Sequence, residues 1–185
     1  VQDAAFARPG TRFQYSGDAV NLTGKALEVV TGQPIWRLLY DQMQKPFGES
    51  VTQFDLGFGD SFTAMYLAKI GQMILQDGRY GEHRFYRPGF LQELRPKRVA
   101  AFAPDIKDST LEWGLGLTWM PDPPGPREQG VLGPNVIGHP ASNGVTYRID
   151  KDHDLVVVIG RNGFKDARTN ETWAAKFAQT LAQGL

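Results

Sequence analysis

Residues 145–160 leave the chain little freedom. Val145 to Ile149 and Leu155 to Gly160 are two stretches rich in β-branched residues, each of strand length. Between them stands Asp150-Lys151-Asp152-His153-Asp154, a polar connection of hairpin length and too short for a crossover helix. The two strands are therefore antiparallel neighbours. No apolar run exceeds that of Leu155 to Ile159, well short of the ~20 residues needed to cross a bilayer.

More strands precede this pair. Val136 to His139 reads as one. Trp113 to Met120 reads as another, with Trp113, Leu115, Leu117 and Trp119 alternating with mostly smaller residues. Pro121 to Gly130 is rich in Pro and Gly and reads as a loop. Asn170 can cap a closing helix with Trp173, Phe177 and Leu181 along one side.

Upstream the period changes to that of helices. Arg8-Pro9-Gly10-Thr11 is a turn, and a short extended stretch leads to Tyr15. A helix is expected from Asp18 to Thr31, capped by Ser16 or Asp18, with Leu22, Leu27 and Val30 at helical spacing and Gly32 as its stop. Pro34 can open a second, with Ile35, Leu38, Leu39 and Met43 on one stripe, ending at Lys45-Pro46-Phe47-Gly48. Thr63 can cap a third, with Ala64, Leu67, Ile70, Ile74 and Leu75 as its apolar face before Gly78. A short fourth runs from Pro88 to about Leu94. The layout is a single α+β domain over 1–185: a mainly helical region to about 110, then strands and a closing helix.

Composition excludes several classes of function. Twenty basic residues balance twenty acidic ones, so no net field draws the chain to nucleic acid or an anionic membrane. There is no cysteine, hence no disulfide, thiolate metal site or cysteine nucleophile. No phosphate loop or dinucleotide glycine fingerprint occurs. His83 and His153 fall in polar turns without metal-ligand spacing, so neither a metal nor a cofactor is expected. Trp36, Trp113, Trp119 and Trp173 read as core residues, with Trp113 and Trp119 also able to line a cleft. The chain starts at Val1 without a basic-then-apolar leader, consistent with a trimmed or processed polypeptide.

Three segments, in order, carry a resemblance. Pro9-Gly10-Thr11-Arg12-Phe13-Gln14-Tyr15-Ser16-Gly17 with Glu28-Val29-Val30-Thr31-Gly32 is similar to "PG-x-x-F-x-YSN … E-x-x-TG". Thr63 to Lys69 with Leu75-Gln76-Asp77-Gly78-Arg79-Tyr80 is similar to "sTa-x-DLa-r … LL-x-GG-x-y". Trp113 to Leu117, Gly138-His139-Pro140-Ala141 and Leu155 to Ile159 with Asn162 are similar to "yGlGw … GH-x-G … dlvvvvltN". Together they resemble the serine β-lactamase-like superfamily of class C β-lactamases, penicillin-binding DD-peptidases and related esterases. The match implies a β-lactamase/transpeptidase-like fold, an antiparallel sheet flanked by helices with a helical subdomain.

The resemblance also implies roles. Such enzymes acylate a serine whose proton a neighbouring lysine or tyrosine accepts, with backbone N–H groups stabilising the oxyanion. Tyr15 stands at the position of that tyrosine, as general base or proton shuttle. His139 stands at the first position of the strand triplet, where it would orient the tyrosine and lend donor character. Ser142 would contribute its backbone N–H to the oxyanion hole. Gly17 replaces an asparagine that contacts the substrate amide, and Pro140 and Ala141 replace Thr/Ser and Gly. Those substitutions remove a carboxylate anchor and favour small esters over β-lactams, with Trp113 beside the substrate.

The family's nucleophile is a Ser-x-x-Lys. Three residues after Ser16, Ser50, Ser61, Ser109 and Ser142 stand Ala19, Gln53, Ala64, Glu112 and Val145, none a lysine. No Gly-x-Ser-x-Gly elbow occurs either. The expectation is therefore part of a serine hydrolase that is inactive alone, its partner being the missing N-terminal half or another copy of the chain. A non-catalytic module with a degenerate site is the competing expectation. A periplasmic or secreted location rests on the resemblance alone.

Overall fold

Local chemistry sets the first helix. A computed structural model describes residues 8, 11–58, 61–101, 103, 105–106, 111–120, 132–141, 144–160 and 166–184. Ser16 Oγ accepts from the Ala19 N–H at 3.3 Å and caps α1 (Gly17–Thr31), which Gly32 ends at φ 67°, donating its N–H to Glu28 O. Glu28 also starts the next element, because its Oε1 accepts from the Ile35 N–H at 2.8 Å. That bond, with Lys25 beside it, lowers the Glu28 carboxyl below its ordinary value. The Glu28-to-Gly32 motif is thus the joint between two helices.

The second helical run is continuous but changes pitch: α2 (Ile35–Leu39), a π-helical turn over Tyr40–Gln44, then α3 (Lys45–Phe47), stopped by Gly48 at φ 65°. Thr63 Oγ1 accepts from the Tyr66 N–H at 3.0 Å and caps α4 (Ala64–Leu75). Lys69 ties α4 to the end of α3 through Glu49 at 2.5 Å and the Phe47 carbonyl at 2.9 Å. After α4 come a two-residue hairpin of β1 (Arg79–Tyr80) with β2 (His83–Arg84), and a single helical turn, α5 (Leu91–Leu94). Next, β3 (Lys97–Arg98) pairs antiparallel with β4 (Glu112–Trp113).

The main sheet has four antiparallel strands in the order β5 (Thr118–Trp119), β6 (Ile137–Pro140), β7 (Thr146–Asp150) and β8 (Leu155–Ile159). Alternation sorts its side chains onto two faces. Ile137, Ile149 and Val156 face α4 and join Tyr66, Met73 and Ile74 in one core cluster. Val157 and Ile159 face the other way and pack with Met120, Leu132 and Val136 against Ala174 and Ala178 of α6 (Ala167–Gln183). Ile137 and Ile149 are sealed from solvent, each contributing about 1.5–3 kcal/mol by burial. Gly71 lets α4 lie close on the sheet, since a Cβ there would sit 2.5 Å from Val156 Cγ1.

The α6 face of β7 carries a row of polar residues, Thr146, Arg148 and Asp150, all buried. Asp150 accepts from the Gly133 N–H at 2.8 Å, the Asp152 N–H at 3.0 Å and His153 Nδ1 at 2.8 Å. The hydrogen bond to Asp150, then its charge, raises the His153 imidazole above its ordinary value. Stability from this pair is therefore complete below the unfolded value of 6.5 and lost as pH rises through the higher folded midpoint. Urea unfolding at pH 5.5, 7 and 8.5 should show that decline, and His153→Gln should flatten it; an unchanged slope in the variant would remove His153 as its cause.

Several expectations need correcting. Trp113 to Met120 is not one strand: Gly114 donates its N–H to Leu117 O, Gly116 lies at φ 75°, and the turn splits β4 from β5. The fourth helix starts at Leu91, not Pro88, and Pro34 precedes α2 as its N-cap. The closing helix begins one turn before Asn170, where Asp166 accepts from the Thr169 N–H at 2.8 Å. Leu22, Leu27 and Val30 of α1 are exposed, as are Trp36 and Trp173, which are not core residues. The Pro121–Gly130 segment lies outside the described residues.

Candidate active site

Tyr15 sits in the extended segment just before α1, with over half its surface exposed. Aromatic packing holds it there. Phe13 and Tyr15 both lean on Trp113 of β4, with ring centroids 5.5 and 5.7 Å away. His139, near the end of β6, completes the group at 5.8 Å from the Tyr15 ring and 6.4 Å from the Trp113 ring. The Tyr15 hydroxyl lies 3.5 Å from His139 Nε2, at the outer limit of hydrogen bonding, across 124 residues of sequence. Nε2 donates to the phenol oxygen when it carries the proton and accepts from the hydroxyl when it does not.

Gly138 lets the imidazole occupy this place. A Cβ there would stand 2.0 Å from the Tyr147 carbonyl oxygen and 3.0 Å from Met120 Cγ. Beyond His139, Pro140 pairs in register with Thr146. Pairing with β5 ends at Thr118 and Gly138, so the N–H that Pro140 lacks would have had no ladder partner there among the described residues. Ala141 is committed to the tight turn into β7, donating to Val145 O at 2.7 Å and accepting from the Gly144 N–H at 3.2 Å. Ser142 lies outside the described residues.

Gly17 has a packing reason to be glycine. A Cβ would meet Phe58 Cδ1 at 2.6 Å and the Gly57 carbonyl at 3.2 Å, so Phe58 occupies the space an asparagine side chain would need. One turn further on, Asn21 Oδ1 accepts from the N–H groups of Leu56 and Gly57 at 3.1 and 2.6 Å and binds that loop to α1. The fold therefore brings Tyr15, Trp113 and His139 together, and places Gly17 under Phe58.

Sequence reasoning passed over Tyr147. It stands directly opposite His139 in the β6–β7 register, which puts the two side chains on one face of the sheet. Burial, then the nearby charge of Tyr15, pushes its phenol up to about 12. Only the strand register reveals it, since nothing in the linear sequence ties position 147 to 139.

Two grooves of about 380 and 280 Å³ lie elsewhere, the first along α6 beside Trp173, the second beside Met43, Met73 and Phe85. Neither is lined by Tyr15 or His139; the first carries Lys176, the second His83, Arg84 and Tyr86. Among the described residues no group of three His, Asp or Glu side chains is placed to hold a metal ion, and no helix is long and apolar enough to cross a membrane. The Tyr15–His139 contact is instead a phenol and an imidazole able to pass a proton at the protein surface.

Comparison with known proteins agrees with this architecture. A family model described as Beta-lactamase matches residues 2–181. A candidate beta-lactamase from Bacteroides dorei DSM 17855 superposes with a TM-score of 0.70 at 19% identity, over 98% of this chain and 62% of that one. A beta-lactamase from Mycobacterium bovis superposes with a TM-score of 0.66 at 18% identity, over 98% of this chain and 66% of that one. At such identities the likeness is one of fold. The chain thus spans about two thirds of the length of either, and no curated protein matches it.

Proposed function

The chain belongs to the Beta-lactamase family, and from that premise we propose that it supplies the tyrosine–histidine side of a serine hydrolase acting on small esters or amides. The observation that carries this reading is the 3.5 Å approach of the Tyr15 hydroxyl to His139 Nε2 against Trp113. Tyr15, as phenolate, accepts the proton of an attacking serine hydroxyl while the serine oxygen bonds to the substrate carbonyl carbon. His139, protonated on Nε2, donates to the Tyr15 oxygen and steadies its charge. The proton then passes to the leaving alcohol or amine, and the acyl-serine forms. Water repeats the sequence to release the acid.

No Ser-x-x-Lys stands in these 185 residues. The proposal takes the serine from polypeptide outside them, a reading supported by the greater length of both solved relatives. The 185 residues alone are then inactive. Esters are favoured over β-lactams: Phe58 fills the place of the amide-binding asparagine, and Pro140 brings no hydroxyl to hold a carboxylate.

One observation favours a second reading. The same Phe58 packing is what a degenerate, non-catalytic module would show. Reaction of a longer parent polypeptide with a fluorophosphonate, followed by intact mass, separates the two. The hydrolase reading expects one label on one serine and turnover of p-nitrophenyl butyrate. Tyr15→Phe should lower the labelling rate about 100-fold, as loss of a general base does. A parent that takes no label, or a Tyr15→Phe variant that labels at the full rate, would sink it.

A further inference from the structure

Tyr147 brings a second phenol to the face that carries His139. Its ring packs with the α4-side core cluster, its partner across β6 is His139, and across β8 it faces Val158. Among the described residues its hydroxyl has no hydrogen-bond partner. Tyr15 is the one ionisable group whose charge acts on it among the described residues, and His139 is the titratable group opposite. Burial keeps Tyr147 protonated to about pH 12, so across the working range of an enzyme its hydroxyl is a neutral donor.

We propose that Tyr147 is a positioning residue for Tyr15: its hydroxyl donates toward the Tyr15 oxygen, directly or through one water, when that oxygen carries negative charge. Tyr15 then receives two donors from one sheet face, His139 Nε2 and the Tyr147 hydroxyl, and the phenolate form is held without a lysine. The inference deepens the hydrolase reading and rests on it for its catalytic meaning. The coupling between the two tyrosines is measurable without catalysis.

The test uses this chain labelled with ¹³Cζ-tyrosine. Its six tyrosines give separate signals, and Tyr15→Phe identifies the one to follow. Tyr147→Phe keeps the ring and removes only the hydroxyl, so the Tyr15 ionisation midpoint should rise by about one pH unit, the size of one hydrogen bond to a charged group. Tyr147→Leu also lacks the hydroxyl and should give the same rise where Phe is not accommodated. Val158→Ala loosens the packing on that face without touching the hydroxyl and should leave the midpoint in place. An unmoved midpoint in Tyr147→Phe, or an equal rise in Val158→Ala, overturns the inference. Labelling of the parent by phosphonate is scored separately: a label with no tyrosine coupling sinks only this inference, and a coupling with no label sinks only the hydrolase reading.

Discussion

Gly138→Ala is expected to leave the chain unfolded or barely folded at 25 °C. The added methyl would be driven to 2.0 Å from the Tyr147 carbonyl oxygen, and neighbouring strand backbone cannot step aside as a side chain would. Relief requires parting β6 from β7 where His139, Tyr147 and the central register meet. A loss of about 3–5 kcal/mol is expected, a large share of the 5–15 kcal/mol that holds an ordinary domain together. Gly160 supplies the control, because the nearest atom to a Cβ there is Val145 Cγ2 at 4.0 Å. Gly160→Ala should unfold within about 1 kcal/mol of the parent. Urea curves followed by tryptophan fluorescence would decide the matter, and equal midpoints for the two variants would refute the packing argument.

Asp150→Ala should come next in severity. Its carboxylate is buried and accepts from two backbone N–H groups and one imidazole. Alanine leaves the Gly133 and Asp152 donors facing an empty space, and each stranded donor costs about 1–3 kcal/mol. A total of about 3–4 kcal/mol follows if the loops do not rearrange to admit water. Asp150→Asn keeps the shape and one acceptor and should lose roughly half as much. Thermal unfolding of both variants at pH 6 provides the check. An alanine variant as stable as the asparagine variant would mean that the backbone donors find water.

Helix starts were legible because capping is local: Ser16 and Thr63 each satisfy a backbone donor three residues on, and both stand out in the sequence. The hairpin at 150–154 was legible because five polar residues between two stretches rich in β-branched residues permit little else. The β1–β2 and β3–β4 pairs were not, since strands of two residues have no period to detect. Nor does periodicity say what covers a stripe. Leu22, Leu27 and Val30 recur as a buried face would, yet all three are exposed. Asn170 was a reasonable cap, but Asp166 captured the helix a turn earlier.

The site divides the same way. Tyr15 and His139 were reachable only through the family resemblance, because no local rule links residues 124 apart. Gly17 could be seen as a departure from the family pattern, while its cause, the Phe58 ring, lay in a loop that carried no signal. Tyr147 required the strand register, which a sequence leaves open until its hairpins are aligned.

The polar row of β7 has a further consequence. Thr146, Arg148 and Asp150 alternate with Tyr147 and Ile149, so a slip of one residue would exchange the two sets between α4 and α6. A misaligned hairpin would press an arginine and an aspartate into the Ile137–Val156 cluster and turn an isoleucine toward the donors of Gly133 and Asp152. In a strand of apolar residues on both faces such an error would go unpunished. Here the alternation works as a checksum: it rejects every odd misalignment during folding.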